Sequence, residues 1–154
     1  MAENRDSQRK WDLRFLELAR MIASWSKDPN TKTGAVIVRP DRTIVSTGYN
    51  GFPSAMPDLS DNYENREEKY SRIVHCEMNA VLHAYEPVHG YTLYTWPFAS
   101  CDRCCVHMIQ AGITRMVAPV LPADLIGRWG ASLKKTKAYA EESGVIMHEI
   151  EDFL

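Results

Sequence analysis

A chain of 154 residues that is 45% hydrophobic, 25% charged and 10% aromatic suits one domain, spanning 1–154, with a substantial core. Its 18 basic and 20 acidic residues are interspersed and leave a formal net charge of −2. That balance favours a small substrate over a nucleic-acid polymer, whose phosphates call for a basic excess or stripe. No apolar run approaches the ~18 residues of a membrane span, and the first ten residues are polar and mixed in charge, unlike a signal peptide. The expected setting is therefore the cytoplasm, with no membrane partner.

Residues 11–25 place Trp11, Phe15, Leu18, Ile22 and Trp25 at near-helical spacing and read as an amphipathic first helix, stopped at Lys27 to Asn30. Residues 34–38 and 43–48 are short β-branched runs around Arg39 to Arg42, which predicts a hairpin. A turn-rich stretch follows over 49–62, with Gly51, Pro53 and Pro57. Helix formers run from about 75 to 85 and halt at Pro87; 91–96 reads as a strand, 101–111 as a helix ending at Gly112, and 114–118 as a strand. Residues 132–142 are helical with Gly144 as cap, and 145–150 form a last strand. Five strands alternating with helices predict a layered α/β/α sandwich, with an initial hairpin and later parallel crossovers.

Four cysteines, Cys76, Cys101, Cys104 and Cys105, crowd into 30 residues. A disulfide framework would spread them; clustered thiols in a reducing compartment point to metal or redox chemistry. His75-Cys76-Glu77 and Cys101-x-x-Cys104 each open a predicted helix, where the positive end of the dipole favours thiolates. One imidazole and two thiolates match zinc with one open tetrahedral position, which can acidify a water, and Glu77 is placed to move that water's proton. A redox dithiol and a closed zinc knuckle that also uses Cys76 are the rival readings. Adjacent His75 and Cys76 on a helix start point apart, which weighs against the second. Cys105 and the other histidines are expected to be core or surface groups.

His-x-Glu followed by Cys-x-x-Cys is similar to the zinc signature of nucleotide and nucleobase deaminases. Within that superfamily the chain most resembles the deoxycytidylate (dCMP) deaminases. The match runs through 33–38 (TGAVIV), 46–53 (STGYNGFP), 75–80 (HCEMNA), and 100–104 (SCDRC) continuing to 110–113 (QAGI). The resemblance implies a cytidine-deaminase-like α/β/α sandwich around a mixed five-stranded sheet. It implies His75, Cys101 and Cys104 as ligands of one zinc per subunit, and Glu77 as proton shuttle. It also implies that Asn50 contacts the substrate. Cys76, Lys32 (for a phosphate), Trp96 and Phe98 are further candidates for substrate binding. Two departures stand out: Cys76 replaces the usual Ala between His and Glu, and Ser100 replaces the usual Pro before the first Cys. Residues 51–74 contain no Cys or His for a second zinc.

The implied reaction is hydrolysis of dCMP to dUMP and ammonia, feeding thymidylate synthesis. The resemblance further implies a homo-oligomer, often a hexamer, activated by dCTP and inhibited by dTTP, with Tyr49, Asn50, Gly51 and Phe52 near the effector site. The alternatives are a deaminase of 5-methyl-dCMP, cytidine or a purine, a polynucleotide deaminase, and a binding module held together by zinc.

Overall fold

The computed structural model describes residues 2–153. In chain order its elements are α1 (Ala2–Ala23), β1 (Gly34–Val38), β2 (Ile44–Tyr49), α2 (Ser60–Glu64), α3 (Arg66–Arg72), α4 (Cys76–Leu82), β3 (Thr92–Trp96), α5 (Asp102–Gln110), β4 (Arg115–Pro119), a 3-10 turn at Ala123–Leu125, α6 (Ile126–Ser143) and β5 (Ile146–Ile150). The sheet order is β2-β1-β3-β4-β5. β1 runs antiparallel to both neighbours, whereas β3, β4 and β5 are mutually parallel, so the sheet is mixed as expected.

The period of two along each strand divides the core. Val36 and Val38 of β1, Tyr94 of β3 and Val117 of β4 pack on Phe15, Leu16 and Ala19 of α1. Their neighbours Ala35, Ile37, Leu93 and Met116 turn to the opposite face, against Ala80 of α4 and Cys105 and Met108 of α5. Burying each large apolar side chain contributes about 1.5–3 kcal/mol, which ties both helical layers to the sheet. A polar staple joins α1 to the middle of the sheet. Asp12 accepts from both terminal nitrogens of Arg115, at 2.6 and 2.7 Å, and from the Tyr94 hydroxyl at 2.6 Å. Burial raises the Asp12 carboxyl, but the hydrogen bonds from Arg115 and Tyr94 outweigh it and hold the group below its ordinary value.

Gly48 sets the position of α4. A Cβ there would collide with the Cys76 carbonyl oxygen and the Ala80 nitrogen, so only glycine lets the start of α4 lie directly on β2.

The structure departs most from the sequence reading in α1, in residues 60–72 and in α6. α1 begins nine residues before Trp11, in a polar segment that carries no apolar stripe, and it ends before Trp25, which is exposed. α2 and α3 occupy the charged stretch from 60 to 72, where α3 has a side-chain cap and α2 has none. The Asn65 side chain accepts from Glu68 N at 3.1 Å, and only Tyr63 and Lys69 are buried. α6 starts at Ile126 rather than 132 because packing carries the helix through Gly127 and Gly130, which interrupt the sequence pattern.

Candidate active site

The starts of α4 and α5 lie side by side, and both bring chemistry to one cleft. His75 is the N-cap residue of α4, and Cys101 is that of α5. The extended backbone at each cap turns its side chain back across the helix start. Cys104, one turn into α5, donates its backbone N–H to Cys101 Sγ at 3.4 Å, which brings both sulfurs to the same side. His75 Nδ1 lies 3.5 Å from Cys101 Sγ and 3.3 Å from Cys104 Sγ, and all three ligand atoms fall within 4.8 Å of one another. Ordinary Zn–S and Zn–N bond lengths in a tetrahedron separate N and S by about 3.6 Å, so these three atoms fit around one zinc ion with little movement. Among the described residues this is the one such cluster, and Cys76 is not part of it.

Electrostatics single out Cys101 among the three. The hydrogen bond from Cys104, with His75 adding to it, holds the Cys101 thiol down to about 4, in the thiolate range of a metal ligand. Cys104 is pushed up, first by that hydrogen bond to Cys101 and then by burial. The bond to Cys101 raises His75 against its burial. Cys76 behaves oppositely: burial, then the Glu77 charge, push it well above its ordinary value, and it packs in the core beside Ala80. Cys105 is buried, points at the Thr136 carbonyl at 3.8 Å and is pushed up by burial to about 11. It fills core rather than binding metal. All four cysteines are free thiols.

A cleft opens beside the cluster. Glu77, 5% exposed in the first turn of α4, lines it together with His75, Cys76 and Cys101. The facing wall comes from distant segments: Asp28, Thr31, Thr33 and Asn50 on one side, Lys69, Tyr70 and Ile73 on another, and Phe98, Arg128 and Trp129 over the mouth. α6 reaches this position because it is docked onto the metal corner. Ser132 Oγ bridges Asp102, accepting from its N–H at 3.0 Å and donating to Oδ1 at 2.6 Å, and Thr136 Oγ donates to the Ser100 carbonyl at 2.8 Å. That anchor uses a backbone carbonyl, so Ser100 serves it as well as Pro would. Phe98 and Trp129 sit with ring centroids 5.4 Å apart, an aromatic surface suited to a flat base.

The candidate substrate residues separate into two groups. Asn50, Cys76 and Phe98 line the cleft; Lys32 and Trp96 do not. Thr31, Lys32 and Thr33 are successive residues of an extended segment, so Thr31 and Thr33 face the cleft while Lys32 turns away. Its Nζ donates to the Ser26 carbonyl, on the side of a shallow groove that Trp96 also lines. Trp96 packs against the α1 side of the sheet. The cations that do reach the cleft are Lys69 and Arg128, neither of which the sequence marks. Arg128 donates to the Tyr70 hydroxyl at 3.1 Å, and the Arg66 guanidinium lies 5.3 Å from the Tyr70 ring centre. Burial raises the Tyr70 phenol, but the bond from Arg128 and the nearby Arg66 hold it below its ordinary value, the mark of a positive surrounding. The one available signal was an Arg-Trp pair between Gly127 and Gly130. Lys69 offered none, being one charge among many in its stretch.

At the end of β2, Tyr49 is exposed and meets Trp25 edge-on; in the loop that follows, Gly51 bridges Val74, and Phe52 stacks on Tyr63 with centroids 3.9 Å apart. This loop is packed down on α2 and on the strand-like approach to His75.

Comparison with known proteins gives a consistent picture. Residues 9–120 match the family model for the cytidine and deoxycytidylate deaminase zinc-binding region. An uncharacterized deaminase from the luxG 3′ region of Aliivibrio fischeri is 38% identical over 136 residues, covering 88% of this chain and 90% of its own length. The human deoxycytidylate deaminase is 35% identical over 121 residues, 75% of this chain and 67% of its own; a probable deoxycytidylate deaminase of Caenorhabditis elegans is 38% identical over 107 residues, with 54% of its length matched. In fold, the chain resembles the dCMP deaminase of cyanophage S-TIM5. The apo crystal structure superposes with a TM-score of 0.69 at 18% identity, covering 90% of this chain and 96% of that one. The complex of that enzyme with dCMP and dUMP gives 0.67 at 21% identity, covering 89% and 94%.

Proposed function

Because the chain belongs to the cytidine and deoxycytidylate deaminase family, we propose that it hydrolyses dCMP to dUMP and ammonia. The observation that carries this reading is one cleft in which His75, Cys101 and Cys104 converge on a zinc-sized space with Glu77 beside them. His75, Cys101 and Cys104 would hold the ion. When bound, zinc supplies Lewis acidity that makes water a usable nucleophile near neutral pH.

The remaining chemistry belongs to the chain. Glu77 takes one proton from the attacking water and delivers it to N3 of the cytosine as the new C4–O bond forms. It then passes the second proton to the 4-amino nitrogen, so the C4–N bond breaks with ammonia as leaving group. Its burial beside the cleft keeps bulk water from competing for those protons. Phe98 and Trp129 together offer the base one apolar face, and Asn50 faces the sugar. Cys76 fills a small space under the base and stays a thiol.

Arg128 supports a nucleotide over a nucleoside. It is the cleft cation whose charge is not spent on a buried carboxylate, and with Tyr70 it offers donors to a monophosphate at the cleft mouth. Lys32 has no part in this, since it faces the other side of its loop. The enzyme acts in the cytoplasm as a homo-oligomer; the exposed side chains of Met21, Trp25 and Tyr49 support an interface on that face. The 49–52 loop between that face and the cleft would carry any response to dCTP and dTTP. Among the described residues no helix is long and apolar enough to cross a membrane.

The test is ammonia release by the zinc-loaded protein from dCMP, CMP, deoxycytidine and 5-methyl-dCMP, each with and without dCTP. Turnover of dCMP well above the others is expected. Preference for 5-methyl-dCMP or for an unphosphorylated nucleoside would replace the substrate, and no turnover of any would leave zinc a structural role. Light scattering of the same sample reads the oligomer.

A further inference from the structure

In the facing wall of the cleft lies a buried ion pair that the chemistry above does not use. Lys69 of α3 donates to both carboxylate oxygens of Asp28, at 2.9 Å (Oδ1) and 2.8 Å (Oδ2), and the two side chains are 7% and 3% exposed. Asp28 Oδ1 also accepts from the backbone of Asn30 at 2.9 Å and of Thr31 at 3.3 Å, and Oδ2 accepts from Asn50 Nδ2 at 3.2 Å. A buried pair of this kind is weak support for stability, because desolvation offsets most of the attraction; its better-attested use is to specify one arrangement.

The arrangement specified here is that of Asn50. An amide side chain can present either end to a neighbour, and only its partners decide which. The Asp28 carboxylate can only accept, so Nδ2 must face it, while the Thr33 N–H can only donate, so Oδ1 must receive it, at 2.8 Å. The second amide hydrogen goes to the Thr31 carbonyl, also at 2.8 Å. Both donors of Asn50 are then spent and one oxygen lone pair is left. Any bond its side chain makes to a ligand in the cleft must be as acceptor, which suits a hydroxyl.

We propose that Asp28, clamped by Lys69, is a positioning residue that holds the Asn50 amide in place, so that Asn50 accepts a hydrogen bond from a sugar hydroxyl, and that Lys69 does not bind the nucleotide's phosphate. This rests on the reading of the cleft as a nucleotide site. Lys69 is a cation on the cleft wall, yet its ammonium is already held by both carboxylate oxygens of Asp28. Asp28 in turn is fully subscribed by three further donors. The Thr33 N–H and the Thr31 carbonyl still set which end of Asn50 faces which way, so replacing Asp28 by Asn loosens the anchor on the amide without reversing it.

The decisive variant is the charge-neutral double replacement Asp28→Asn/Lys69→Met, studied beside Lys69→Met and Lys69→Arg with zinc content checked in each. The double variant is expected to keep wild-type zinc and a folded spectrum while losing at least tenfold in kcat/KM for dCMP. Its Thr33 amide, held by Asn50 in the wild type, should exchange with deuterium at least tenfold faster. Lys69→Arg should restore most of both. Binding of dUMP and of deoxyuridine should weaken by the same factor. Weakening confined to dUMP would make Lys69 a phosphate ligand and overturn the proposal. Unchanged kcat, KM and Thr33 exchange in the double variant would overturn it as well, leaving a merely structural pair. If the wild type does not turn over dCMP, the substrate reading fails, while Thr33 exchange still reports on the Asn50 network by itself.

Discussion

The metal side of the cleft is made from two helix starts, with His75 opening α4 and Cys101 and Cys104 opening α5, whereas the facing wall gathers Asp28, Asn50, Lys69 and Arg128 from four separate segments. On the first side each functional group is placed by local backbone: a cap residue in extended conformation, and a second cysteine one helical turn on. On the second, contacts from far along the chain add to or replace the local ones. Asn50 owes its orientation to Asp28 and Thr33, Asp28 is held by Lys69 from 41 residues away, and Arg128 arrives because α6 is docked through Ser132 and Thr136. The difference teaches that the reacting end of this cleft is written in short motifs and the recognising end in long-range polar contacts. Damage should therefore be all-or-none on the first side and graded on the second.

Breaking the metal corner should give the largest effects. Cys104→Ala, or chelation of the wild type, is expected to remove zinc and with it all measurable ammonia release; metal analysis and turnover on one sample check this. Glu77→Gln should separate binding from chemistry, retaining zinc while losing roughly 10²–10⁴-fold in kcat, as expected for a general acid–base group. Retained turnover in that variant would remove Glu77 from the mechanism.

On the facing wall, Arg128→Ala is expected to lower kcat/KM for dCMP by roughly tenfold to a hundredfold, the worth of a charge-assisted hydrogen bond, and to leave deoxycytidine unaffected. An equal loss on both substrates would mean that Arg128 shapes the cleft rather than holding phosphate. Gly48→Ala joins the two regions, since its Cβ would push α4 off β2 and carry His75 with it. A loss of about 1–3 kcal/mol in denaturant midpoint experiments is expected from this overpacking, with a fall in kcat beyond the loss of folded protein.

The smallest effect on activity should come from Asp12, which lies in the α1 staple, apart from the cleft lining. Its folded-state value lies below the ordinary 3.8, because the bonds from Arg115 and Tyr94 outweigh burial. Its contribution to stability is therefore full above that ordinary value and is lost as the pH falls below it. Melting temperature measured from pH 7 down to about 2 should fall less steeply on the acid limb in Asp12→Asn than in the wild type. kcat per folded molecule should stay the same.

The amino-acid sequence alone was enough for the five strands, the hairpin, the mixed α/β/α layering and the convergence of His75, Cys101 and Cys104. These depend on periodicity, glycine and proline stops, and motifs whose geometry is complete within a helical turn. It missed α2 and α3, because short charged helices carry no apolar period and rest on a cap and on Lys69. It also favoured Lys32 and Trp96, which stand nearest to recognised motifs, over Lys69 and Arg128. Only the tertiary structure decided that choice. In an extended segment the side chains alternate, so which of Thr31, Lys32 and Thr33 faces the cleft depends on where the strand end lies against α4. Likewise, whether a lysine meets a ligand or a carboxylate depends on which distant segment fills its surroundings. Chemistry set by one turn of backbone can be read along the chain, but recognition set by the path of several segments exists only once they are packed.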